Sequence, residues 1–92
     1  MGVNAVIRRK DKKFIGSPAD VVKWLSMSFP GSKFALTPRG TWDGSFERDG
    51  LAIEFYLDSV GPISEIRICM YGKIVKMYDY TKDWMELKVY MP

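Results

Sequence analysis

Read for the spacing of its apolar residues, the chain is mostly period two, with one clear stretch of helical period. Val3 to Arg9 is β-branched and loosely alternating, which predicts a first strand. Lys10 to Lys13 is a polar turn. A helix start follows: Ser17 as N-cap, Pro18 at the first helical position and Asp20 placed to reach back to the cap. Val21, Trp24, Leu25 and Ser28, widened by Val22, make one face of a helix that Pro30-Gly31 ends.

Lys33 to Thr37 reads as a short strand, broken by Pro38-Arg39-Gly40. Asp49-Gly50 between alternating runs predicts a two-residue type I′ hairpin that joins Trp42–Arg48 to Leu51–Asp58. In that register Phe46 faces Ile53, Gly44 faces Phe55 and Trp42 faces Leu57. Ser59-Val60-Gly61-Pro62 turns the chain into a strand at Ile63–Tyr71. Pairing Ile53 with Ile68, Phe55 with Ile66 and Leu51 with Met70 collects the large apolar residues on one face, and sets Glu54 opposite Arg67. Gly72 closes the meander. Lys73 to about Asp83 is expected to form a second helix with Ile74, Met77 and Tyr78 inward, and Met85 to Met91 alternates as a last strand.

The order β-α-(β)-β-β-β-α-β gives an α+β domain spanning residues 1–92. The expected architecture is an antiparallel β-meander sheet with two helices packed on one face, loosely ferredoxin-like.

Composition agrees with such a domain, since 47% of residues are hydrophobic and 27% charged. A lone cysteine, Cys69, forms no internal disulfide. With no leader-like apolar segment and no run of the ~20 apolar residues a membrane span needs, it predicts a cytoplasmic protein without a membrane partner.

The net charge is +3, and its basic excess gathers in Arg8, Arg9, Lys10, Lys12 and Lys13. That cluster is a candidate surface for phosphate or an acidic partner. Histidine is absent, which removes the commonest general base and zinc ligand. Cys69 has no companion base or second thiol and reads as an inert, half-buried side chain. Asp43, Ser45, Glu47 and Asp49 alternate like calcium ligands, but Arg48 stands where an EF-hand needs glycine, Glu54 at the twelfth position lies beyond a hairpin turn, and strand alternation with that turn explains the same residues. No phosphate-binding glycine loop is present. The expectation is therefore a non-enzyme with no cofactor and no metal.

Tyr56, Arg67, Tyr71 and Tyr90 fall on the sheet face opposite the expected core. Tyrosine and arginine favour interfaces, so these four are the candidate partner-binding residues, for another protein or a second copy in a homodimer. The run Ile66-Arg67-Ile68-Cys69-Met70-Tyr71-Gly72 lacks the strand signature of RNA-recognition modules. The leading expectation is a small protein-binding domain, an accessory, inhibitor or immunity-type protein of a bacterium or its phage. The alternative is nucleic-acid binding through the basic N-terminal segment.

From Ser17 to Tyr90 the chain resembles a class of small bacterial α+β proteins with no established activity. The likeness rests on Phe29-Pro30-Gly31, Trp42-Asp43-Gly44, Asp49-Gly50, Ala52-Ile53-Glu54-Phe55, Gly61, Ile63 to Ile68, Gly72 and Trp84. It implies the α+β fold and no site residues.

Overall fold

A computed structural model describes residues 2–90. Six strands form a single antiparallel sheet: β1 Val3–Arg9, β2 Lys33–Leu36, β3 Trp42–Arg48, β4 Leu51–Leu57, β5 Glu65–Gly72 and β6 Met85–Tyr90. Their spatial order is β2-β3-β4-β5-β1-β6. Helix α1, Pro18–Ser28, links β1 to β2, and a 3₁₀ helix at Ile74–Tyr80 links β5 to β6. Both connections cross one face, so the α+β class and the one-sided helical layer are as expected. The ferredoxin-like order is not confirmed: a four-strand meander is closed by β1, inserted between β5 and β6.

The start of α1 obeys its local signals. Ser17 Oγ accepts the Asp20 amide at 3.3 Å, with Pro18 in the first turn. Only this arm of the cap is made; the Asp20 carboxylate forms no bond back. Val21 and Leu25 are buried, with Trp24 and Val22 half-buried beside them.

The first hairpin has the expected register, with Trp42 against Leu57, Gly44 against Phe55 and Phe46 against Ile53. Its turn is left-handed at both positions, Asp49 at φ 52° and Gly50 at φ 86°. The second pairing differs from expectation by two residues. Ile53 faces Met70, Phe55 faces Ile68, Leu51 faces Gly72, and Glu54 faces Cys69, not Arg67. A slip of two keeps every side chain on its own face, so burial patterning alone cannot distinguish the two registers. The connection decides it. Ile63 bridges to Gly16 instead: its amide donates to the Gly16 carbonyl and its carbonyl accepts from the Ile15 amide, each at 2.7 Å, and β5 begins only at Glu65.

The second helix is shorter and tighter than predicted. Its seven residues are 3₁₀, not α, and only Met77 is buried, while Ile74 and Tyr78 are exposed. β-branched and aromatic residues favour the helix weakly, and one anchoring side chain suffices to dock so short a crossover. Tyr80 at its end packs on Phe29 and Phe46, with ring centroids 5.2 Å away in each case. In the last strand Met85 is buried and Leu87 half-buried; the predicted position Met91 lies outside the described residues.

One core results, with Ile7, Leu25, Phe29, Leu51, Ile53, Phe55, Leu57, Ile66 and Ile68 at its centre. No helix among the described residues is long and apolar enough to cross a membrane.

Candidate functional site

Alternation fixes what the uncovered side of the sheet displays. Tyr56 on β4, Arg67 and Tyr71 on β5, and Tyr90 on β6 all lie on it, as read from the sequence. Between them stand Glu54, Cys69 and Asn4, in adjacent register. The centre of the face is held by pairings within it. The Arg67 guanidinium lies 4.4 Å from the centroid of the Tyr56 ring and donates to Asp58 at 2.9 Å. Tyr56 in turn donates its hydroxyl proton to Glu54. Lys88 sits 5.6 Å from the Tyr90 ring centroid. These contacts order tyrosine and arginine side chains before any partner arrives, which lowers the entropy cost of using them in a contact.

Tyr71 and Tyr90 are exposed at 37% and 47%, the Arg67 side chain is 55% exposed, and Tyr56 is half-buried. Val6, on the same face, is only 5% exposed. The face carries Asp43, Glu47, Glu54, Glu65 and Glu86, with Asp58 at its edge, against Lys33, Arg67, Arg8 and Lys88, so a small negative excess sits on a chain of net charge +3.

Hydrogen bonding to Glu54, then burial, pushes the Tyr56 phenol up to about 12. The Cys69 side chain does the same for Tyr71, also to about 12. The folded state thus favours the neutral Tyr56 phenol more than the unfolded chain does, where tyrosine titrates near ~10. This contribution to stability is complete below pH ~10 and is lost as pH rises toward the folded value. A Glu54→Gln variant is expected to move the Tyr56 transition down toward that ordinary range. Ultraviolet phenolate titration of this variant, with Tyr56→Phe to assign the transition, checks it. An unchanged Tyr56 transition in Glu54→Gln would contradict the assignment.

The five basic residues of the N-terminal run are not brought together. Arg8 and Arg9 are consecutive on a strand and point to opposite faces. Arg8 turns to the open face, where it grips Glu86 at 2.6 Å and lies 3.9 Å from Glu65. Its guanidinium holds the Glu86 carboxyl below the usual carboxylate range. Arg9 turns to the helical side and chelates Asp11 at 2.8 and 3.1 Å. Lys10, Lys12 and Lys13 form no ion pair among the described residues. The period-two rule alone contained the Arg8–Arg9 split.

Two features escaped the sequence reading. Trp24 on α1 and Trp84 before β6 meet at 5.0 Å with planes tilted by 53°. With Ile15, Val21, Arg9 and Asp20 they line a groove of about 390 Å³. Phe14 is 60% exposed beside Lys12 and Lys13. Trp24 and Trp84 lie 60 residues apart in sequence, and no local pattern joins them. Cys69 is half-buried on the open face, and no group of three or more His, Cys, Asp or Glu side chains among the described residues is placed to hold a metal ion.

Compared with known proteins, the chain matches no family model, no curated protein and no solved structure.

Proposed function

We propose that the chain is a non-enzymatic protein-binding domain, of the accessory, inhibitor or immunity type, and that its contact surface is the uncovered face of the sheet. One observation carries the reading: the helical layer lies on one side, leaving Tyr56, Arg67, Tyr71 and Tyr90 together on the other. Six strands about 4.8 Å apart and about seven residues long span roughly 650 Å² in plan. With side-chain relief, that approaches the ~800 Å² per partner of a standard interface. The residue types agree, since aromatic and arginine side chains supply most binding energy at such surfaces.

The charge of the face speaks for a different protein over a second copy. A two-fold contact would bring two negative faces together, whereas a partner with basic residues opposite Asp43, Glu47 and Glu54 is complementary.

The test is affinity capture of a partner from the source cell, repeated with Tyr71→Glu and Arg67→Glu. Both positions are exposed, so the variants should keep the parent melting temperature. A stoichiometric partner lost by both variants is the expected result. Light scattering of the chain alone should give a monomer mass. A captured protein indifferent to both substitutions, or a homodimer that Tyr71→Glu dissociates, would overturn the proposal.

A further inference from the structure

We infer that the end of the molecule carrying the β1–α1 turn binds single-stranded nucleic acid, with lysines taking the backbone phosphates and the aromatic groove taking unpaired bases. This surface is separate from the open sheet face. The groove of Trp24 and Trp84 shares Arg9 with a second hollow of about 530 Å³, lined by Lys12, Lys13, Phe14 and Ser64. Aromatic and basic side chains therefore line two adjoining hollows with Arg9 in the wall of both, a combination that suits single strands with little regard to sequence.

The basic part is built. Asp11 accepts both the Arg9 guanidinium and the Lys13 amide, the latter at 3.0 Å. The Lys12 amide returns to the Arg9 carbonyl at 3.0 Å, and Lys12 holds a left-handed φ of 62°. The Lys10 amide is tied to the Trp84 carbonyl at 3.0 Å, which fastens the turn to the aromatic end. Asp11 pairs with Arg9, and Lys10, Lys12 and Lys13 make no ion pair among the described residues. Asp20 lies in the wall at the tryptophan end. Its carboxylate repels phosphate there, so the backbone keeps to the lysines and a base enters the tryptophan end, where Asp20 can accept from a base N–H.

Unpaired bases are the fitting occupant because the tryptophans are recessed. A duplex keeps its bases stacked and offers an aromatic ring no free base face. An acidic peptide would satisfy the lysines but leave the aromatic half unused.

The experiment titrates the intact chain with a labelled single-stranded DNA of mixed sequence, the matching duplex and anionic lipid vesicles, at ~50 mM salt and upward. Single strand should bind more tightly than duplex. Its log affinity should fall with log salt at a slope of about −2 to −3, for three or four cations at about −0.7 each. Lys12→Glu with Lys13→Glu should cost at least tenfold. Trp84→Leu should cost about tenfold, the scale of one lost stacking contact. Trp24→Leu repeats that test should the Trp84 variant melt early, and circular dichroism verifies the fold of each. The inference is overturned by no single-strand binding at ~50 mM salt, by duplex binding as tight as single strand, by binding to vesicles alone, or by lysine or tryptophan variants that bind like the parent.

Discussion

Replacing Phe29 by alanine should lower the free energy of unfolding by about 3–5 kcal/mol, the usual cost of truncating a buried phenylalanine. Phe29 is completely buried just past the end of α1. Its ring meets Phe46 and Phe55 edge-on at 5.3 and 5.0 Å and stacks on Tyr80 at 5.2 Å. It therefore joins α1, β3, β4 and the 3₁₀ helix in one contact, and its loss opens a cavity between four rigid elements that cannot all close in. Its backbone is engaged as well: the amide donates to Leu25 at 2.8 Å and the carbonyl accepts from Ser32 at 3.0 Å, so the chain there is not free to sink into the gap. A domain of this length has a total stability of about 5–14 kcal/mol, so the loss is a large share of it. Urea denaturation should show a lower midpoint at an unchanged slope. A loss below ~1 kcal/mol would mean that the ring cluster does not hold the layers together.

The second large effect is expected at Gly72. Its φ is +77°, a conformation that costs a side-chain-bearing residue about 1–3 kcal/mol. Space compounds the cost. A Cβ there would run into the carbonyl oxygen of Gly50, the atom that also accepts the Lys73 amide at 2.8 Å. Gly72→Ala must therefore push apart the end of β5 and the β3–β4 turn, or break that hydrogen bond. We expect a loss of at least ~2 kcal/mol, with local amide exchange fastest around Gly50 and Lys73. Gly61→Ala is the control: a Cβ there meets nothing nearer than Ser59 Oγ at 3.8 Å, and the change should stay within about 0.5 kcal/mol. Equal effects at the two glycines would refute the argument.

The candidate surfaces were legible in the sequence to different degrees. Strand alternation alone put Tyr56, Arg67, Tyr71 and Tyr90 on one side, because side-chain direction in a strand depends only on parity. That same parity separates Arg8 from Arg9, so a basic run on a strand is never a single patch. Which carboxylates each arginine would find was not legible. Glu86 lies 78 positions from Arg8, and it is β6 pairing with β1 that makes them neighbours.

What the sequence determined by itself is what contacts within a few residues decide. The Ser17 cap with Pro18, the end of α1 at Phe29-Pro30-Gly31, the Asp49-Gly50 turn with its register, and the apolar and polar sides of each strand all belong to that class. The tertiary structure alone decided the rest. It set the β4–β5 register, since a slip of two leaves burial unchanged, and the observed pairing is held by the Ile63–Gly16 bridge at one end of β5 and the Lys73–Gly50 hydrogen bond at the other. It placed β1 between β5 and β6, closing the sheet with strands from opposite ends of the chain. It shortened the second helix to a 3₁₀ crossover anchored by Met77, and it joined Trp24 to Trp84. Each of these depends on a free-energy difference between distant pairings that have the same local pattern, and that difference exists only once the whole core is packed.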